Sequence, residues 1–171
     1  MKKCAACKSI ILMGGATWGA WTICSDRCLP ALKQALTRQM VPANDIEQQT
    51  ETVHRAVCVM CKGPGPNDVY FSKRLTGMLV AVQWSTERHL CCSSCAKSKK
   101  LRAALHCLFL GWWSPKALFL NLYFLPYNLI SALAVSPTQR PTRHLTEVVM
   151  EIIATNNAAR FAQLAAAKAA S

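Results

Sequence analysis

Acidic side chains are scarce in this 171-residue chain, with eight Asp and Glu against 20 Lys and Arg. There is no glycine-rich phosphate loop and no His-Glu-x-x-His helix, two local motifs that would mark phosphate or metalloprotease chemistry. The four histidines, His54, His89, His106 and His144, are scattered. Asp26, Asp45 and Asp68 fall in turns or caps, and neither Ser25 nor Ser114 has the context of a nucleophile. No acid, base and nucleophile converge, so the expectation is a non-enzymatic protein with no small-molecule substrate. No export signal is expected either. Met1-Lys2-Lys3-Cys4 is basic, but only Ile10 to Met13 are apolar before Gly14-Gly15, too few for a signal-peptide core. That places the chain, as an expectation, in a reducing compartment where thiols stay free.

What the chain does have is cysteine, ten in all. Their spacing forms a degenerate repeat. The first copy is Cys4-x2-Cys7, sixteen residues, then Cys24-x3-Cys28. The second is Cys58-x2-Cys61, thirty residues, then Cys92-x2-Cys95. Two residues between cysteines let both sulfurs of one tight turn face a single ion, and a second such pair completes a tetrahedron. The expected cofactors are two structural Zn2+ ions, one on Cys4, Cys7, Cys24 and Cys28, the other on Cys58, Cys61, Cys92 and Cys95. Such closed sites leave no position for a reacting water; they hold small segments folded. A redox pair is the competing reading, and no βαβ pattern surrounds either Cys-x-x-Cys to favour it. Cys91 remains an alternative to Cys92, because Cys91-x3-Cys95 repeats the Cys24-x3-Cys28 spacing; Cys92 is preferred. His54 and His89 lie near the second site as spare donors. Cys107, among leucines and Phe109, reads as a small buried apolar residue.

The net charge of +12 is unevenly spread. Residues 1–40 carry six basic and one acidic side chain, and residues 73–104 seven and one. Two tetrathiolate zinc sites would lower the effective charge to about +8. That excess suits nucleic acid or an anionic lipid surface.

The expected fold class is α+β: two small β-hairpin zinc ribbons, then an apolar helical hairpin and a C-terminal helix. Residues 1–40 form the first ribbon unit, 41–55 a linker with a short helix, and 56–102 the second ribbon unit. Residues 103–136 form the apolar segment and 137–171 the last helix. In the first ribbon, Ser9 to Met13 and Thr17 to Ile23 read as strands about Gly14-Gly15-Ala16, returning Cys24 beside Cys7. In the second, Val69 to Phe71, Met78 to Trp84 and His89 to Cys91 are the strands. Leu29 to Met40 and Ala96 to Leu105 read as basic helices. Thr142 to Ala170 reads as a helix whose first half presents Leu145, Val148, Val149, Ile152 and Ile153 on one side.

Between Ala103 and Val135 the only formal charge is Lys116. As one helix this stretch would be about 50 Å long, against about 30 Å of hydrocarbon in a bilayer. Gly111-Trp112-Trp113-Ser114-Pro115 breaks it, and Pro115 to Val135 has the length of one crossing. Trp112, Trp113 and Lys116 suit a membrane interface. Basic clusters on both flanks favour a re-entrant or interfacial hairpin. Asn121 and Asn128 share one helix face, which must meet another helix or water. The expectation is a membrane-associated protein with its cysteine sites in the cytoplasm.

The run Cys58-x2-Cys61-Lys62-Gly63-Pro64-Gly65-Pro66-Asn67-Asp68-Val69, with Trp84-Ser85, Cys92-Ser93-Ser94-Cys95 and Leu110-Gly111-Trp112-Trp113, resembles a family of uncharacterised bacterial proteins. Its members join four-cysteine zinc-ribbon-like motifs to a Gly-Trp-Trp apolar membrane segment. Cys4-x2-Cys7, Ile11 to Gly15 and Cys24-Ser25-x2-Cys28 resemble the opening of that family. The resemblance spans Cys4 to about Leu133 and implies zinc ribbons and a membrane segment, with no reaction. Family members tend to carry glycine after each Cys-x-x-Cys; here Lys8 and Lys62 stand there. The functional expectation is a membrane-associated zinc-ribbon adaptor or sensor with membrane lipid and an unknown protein as partners. The alternative is a soluble nucleic-acid-binding ribbon protein, using Lys73-Arg74 with Lys97, Lys99, Lys100 and Arg102 on phosphates.

Overall fold

The structure, a computed structural model, describes residues 2–11, 14–19, 21–78 and 81–163. It is a mixed α+β chain of small antiparallel hairpins and helices. The chain divides into two compact units, Met1–Thr50 with Thr146–Ser171, and Glu51–Leu145. The five expected segments are thus grouped differently: most of the C-terminal helix belongs with the first cysteine group, and the apolar segment with the second.

In the first unit, β1 (Lys2–Lys3) pairs with β2 (Ile10–Ile11), and β3 (Ala16–Trp18) pairs with β4 (Trp21–Ile23). The expected pairing of Ser9–Met13 with Thr17–Ile23 is therefore split. Ile10 and Ile11 turn back on the N-terminal lysines, and the second hairpin turns at Gly19, which takes a left-handed φ of +58°. Leu12 and Met13 lie outside the described residues. A 3-10 turn (Asp26–Cys28) leads into α1 (Leu29–Met40), where Pro30 in the first turn needs no N–H partner. Next comes α2 (Ala43–Arg55). The core gathers Cys4, Ile23, Leu32, Leu36, Ala154 and Phe161. Across it, Thr37 Oγ1 donates to the Met150 carbonyl at 2.9 Å, and Gln34 Nε2 donates to Glu151 at 3.1 Å.

In the second unit, β5 (Asn67–Met78) and β6 (Ala81–Cys92) form one ladder, with Asn67 opposite Cys92 and Met78 opposite Ala81. Three short strands were expected, Val69 to Phe71, Met78 to Trp84 and His89 to Cys91, which leaves the polar stretches Ser72-Lys73-Arg74 and Ser85 to Arg88 outside them. Cross-strand partners explain them. Ser72 stands opposite Glu87, and the Arg74 guanidinium meets the Glu87 carboxylate at 3.2 Å. The segment 136–142 is tied back to the base of this ladder by a buried carboxylate. Asp68 accepts from the Val69 N–H at 2.7 Å, Thr138 Oγ1 at 3.0 Å and Thr142 Oγ1 at 2.6 Å. Thr142 Oγ1 also accepts from the Leu145 N–H at 3.4 Å, capping α5 (Arg143–Asn156). That helix starts where Pro141-Thr142 placed it; of the side expected to be apolar it buries Leu145, Val149 and Ile153, whereas Val148 is half-buried and Ile152 exposed.

The apolar stretch lies in α3 (Ser93–Leu110) and α4 (Pro115–Leu133), which pack on each other and on β5. Gly111 closes the connection by close approach: an added Cβ would strike the Cys107 carbonyl oxygen and sit 2.6 Å from the Asn121 amide. Among the described residues no helix is long and apolar enough to cross a membrane. This corrects the expected membrane segment and the localisation built on it. The physical reason is the division of apolar residues. The first third belongs to α3, whose opening turns carry Lys97, Lys99, Lys100 and Arg102. The remainder, α4, contains Lys116, Asn121, Pro126 and Asn128. Both asparagines are fully buried, as the requirement for partners demanded. Asn121 Nδ2 donates to the Cys107 carbonyl at 3.0 Å. Asn128 Nδ2 donates to the Lys73 carbonyl at 2.7 Å, and its Oδ1 accepts the Lys73 N–H at 3.2 Å. Asn128 thus caps the outer edge of β5. Trp112 and Trp113, expected at a membrane interface, occupy the α3–α4 turn, where Trp113 Nε1 donates to the Phe109 carbonyl at 3.0 Å. Lys116 is exposed in the first turn of α4.

Candidate metal centres

The eight cysteines expected as ligands converge into two groups, Cys4, Cys7, Cys24 and Cys28, and Cys58, Cys61, Cys92 and Cys95. Within each group all four sulfurs lie within 4.8 Å of one another. A tetrahedron with sulfur arms of about 2.3 Å places its sulfurs about 3.8 Å apart. The Cys7–Cys24 and Cys61–Cys92 sulfurs are 3.7 and 3.6 Å apart, and Cys24–Cys28 3.3 Å. These spacings exceed a disulfide bond of about 2.05 Å, and all ten cysteines are free thiols. The donor set therefore fits a thiophilic ion in each group.

The two groups are built by the same local device. In the first, the Cys4 N–H donates to the Ser9 carbonyl at 2.8 Å and the Lys8 N–H to the Cys4 carbonyl at 2.9 Å. In the second, the Cys58 N–H donates to the Gly63 carbonyl at 2.9 Å and the Lys62 N–H to the Cys58 carbonyl at 2.8 Å. The residue closing each turn takes a left-handed φ, +64° at Lys8 and +58° at Lys62. A side chain there is strained by about 1 kcal/mol relative to glycine. Replacing Lys62 by Gly should therefore raise the stability of the metal-loaded protein by about 1 kcal/mol. A shift in the thermal midpoint at saturating metal checks this, and no gain would show that the lysine side chain makes a compensating contact.

The third cysteine of each group arrives on a returning strand and repeats a further contact. The Cys24 N–H donates to Cys4 Sγ at 3.4 Å, and the Cys92 N–H donates to Cys58 Sγ at 3.4 Å. Cys92 is thus the geometric counterpart of Cys24, and its sulfur, not that of Cys91, joins the second group. Cys91 is one step along β6, opposite Asp68 and wholly buried. Burial pushes its thiol up to about 11, aided by the neighbouring sulfurs of Cys58 and Cys92.

Electrostatics repeat as well. Backbone N–H donation from Cys7, joined by that of Cys24 and Ala6, holds Cys4 down to about 6 against burial. At Cys58 burial is the largest influence, but N–H groups of Cys61, Cys92 and Met60 outweigh it and bring the thiol to about 6. The last cysteines go the other way. Hydrogen bonding to Cys24 and then burial push Cys28 up to about 12; burial and then hydrogen bonding to Cys61 push Cys95 up to about 12. A metal ion requires thiolates, so Cys28 and Cys95 must each give up a proton at neutral pH. Proton release on metal addition should grow as pH falls through about 6, where Cys4 and Cys58 also begin to hold protons. Affinity falls in the same direction. Titration with zinc in weakly buffered solution measures the release; a release independent of pH would contradict this arrangement.

No family model matches the chain, and neither a curated protein nor a solved structure does. The family resemblance read from the residues therefore rests on its motifs, and the two four-cysteine groups are the part of it that the structure supports.

The remaining candidate donors are engaged elsewhere. His54 Nδ1 donates to the Asn67 carbonyl at 2.8 Å, and His106 Nε2 lies 2.9 Å from Thr76 Oγ1. His144 packs edge-on against Phe71. His89 Nε2 lies 2.7 Å from Ser72 Oγ and 3.7 Å from Glu87 Oε2. Serine, histidine and glutamate are brought together here, but both partners meet the same ring nitrogen. A catalytic triad needs the carboxylate on the other nitrogen. Ser72 is also buried between its neighbours, and burial lowers the His89 pKa. Sequence reasoning treated Cys107 as inert core. It is fully buried, and its thiol also donates to the Lys73 carbonyl at 3.6 Å, beside Asn128.

Proposed function

We propose that this chain is a non-catalytic binding module of adaptor type, folded around two structural zinc ions. The observation that carries the reading is the duplicated four-sulfur geometry, each with the third cysteine's N–H on the first sulfur. Four thiolates saturate a zinc ion and leave no open position, so the ions shape surfaces. Zinc is the natural occupant of a tetrahedral all-sulfur set, with iron the chemical competitor. A nucleic-acid role draws less support. Lys73 Nζ is held 4.6 and 4.3 Å from the Tyr123 and Tyr127 ring centres, and Arg74 is paired with Glu87. Two of the cations expected on phosphates are thus engaged within the protein.

Crosslinking from the zinc-loaded full chain tests this reading. A specific protein crosslinked under reducing conditions, and no longer captured when chelation has removed the metal before crosslinking, supports it. No retained protein, with oligonucleotide binding that weakens steeply with salt, would sink it in favour of the nucleic-acid alternative.

A further inference from the structure

The binding-module reading is carried further by the open face of α3 and α4. The buried positions of α4 are Ala117, Asn121, Phe124, Asn128 and Ala132, which form a single narrow stripe. Beside it run Leu118, Leu122, Leu125 and Leu129, at the alternating four and three spacing of a helix–helix seam. Helix α3 carries Leu101, Leu105 and Leu108 at the same spacing. All but the half-buried Leu125 are exposed, Leu122 by 65 %, and Leu133 extends the row at 86 %. Monomeric proteins rarely leave so continuous an apolar surface uncovered. Between the helices lies a groove of about 220 Å³, lined by Lys97, Leu101, Leu129, Ala132 and Leu133. A concave slot flanked by leucines is the form that receives the apolar face of a third helix.

Charge selects the occupant. From Arg88 to Thr146 the sequence contains no Asp or Glu. Lys97 lines the groove, while Arg102 and Lys116 are exposed on the same two helices. A second copy would set this positive rim against itself, whereas an acidic partner is attracted to it. An anionic bilayer matches the charge, but its flat surface does not fill a groove between two helices.

We propose that the α3–α4 leucine face docks an acidic amphipathic helix of another protein. The probe is a synthetic helix of about 20 residues with leucine at seam positions and glutamate elsewhere. It is titrated into the zinc-loaded full chain beside a control in which lysine replaces glutamate. The glutamate peptide should bind, and the lysine peptide should not. Leu101→Glu and Leu122→Glu, on separate helices and both exposed, should each weaken binding by about tenfold or more. Retention of two metal ions verifies that each variant is folded. Equal binding of both peptides would overturn the proposal. So would binding to phosphatidylglycerol vesicles without binding to the peptide, or self-association abolished by the same variants. A crosslinked protein partner that survives Leu122→Glu would overturn this face while leaving the binding-module reading standing; no captured partner at all would overturn both.

Discussion

Replacing Cys92 by Ser should lower bound metal from two ions to one per chain, whereas Cys91→Ser should keep both. Cys92 contributes its sulfur to the second group and its N–H to the Cys58 sulfur, 3.4 Å away. Removing a direct ligand should weaken that ion by more than about 100-fold, since even outer-shell partners are worth 10- to 100-fold. The turn at Cys58-Lys62 buries little apolar surface of its own, so its order should go with the metal. Cys91 stands in the buried cluster with Cys58 and Ala96 but outside the four-sulfur group. A hydroxyl there should cost about 1–2 kcal/mol of stability and no metal. Metal content after dialysis of the reduced variants checks both. Loss of an ion from Cys91→Ser with retention in Cys92→Ser would reverse the ligand assignment.

The second large effect is expected at Asn128. Its amide satisfies both backbone groups of Lys73 on the β5 edge, and the residue is fully buried. Asn128→Ala should destabilise the second unit by about 3 kcal/mol, because it strands a buried N–H and weakens the bonding of a carbonyl. Denaturant unfolding at saturating metal measures this. A change below about 0.5 kcal/mol would mean that water replaces the amide without loss. The same residue decides how the apolar stretch is read. An asparagine facing lipid would be unsatisfied, whereas here it caps a strand edge.

The cysteine groups were legible because ligand spacing is local and repeated. The ends of α1 were legible too, from the basic helical stretch Leu29 to Met40 that follows the first cysteine group. The first hairpin was misplaced because Gly14-Gly15 looked like its turn, whereas Gly19 makes the turn of the β3–β4 pair. The long β5–β6 ladder was broken into three pieces because its polar centre is stabilised across the strands, by pairs such as Arg74 with Glu87, which no local pattern displays. The apolar segment was read as membrane because hydropathy counts residues without their neighbours. Asn121 and Asn128 signalled a buried face, and only the fold supplied its partners, Cys107 on α3 and Lys73 on β5. Lys8 and Lys62 were visible as departures from glycine, and both indeed hold the left-handed turn.

Two closed tetrathiolate sites are expected to hold the chain folded, and cobalt(II) titration of the reduced, metal-free chain tests that most directly. Two equivalents should saturate, with the intense visible bands of tetrahedral cobalt and the near-ultraviolet bands of thiolate ligation. Zinc should then displace both. Saturation at one equivalent or fewer, or weak octahedral spectra, would contradict the account.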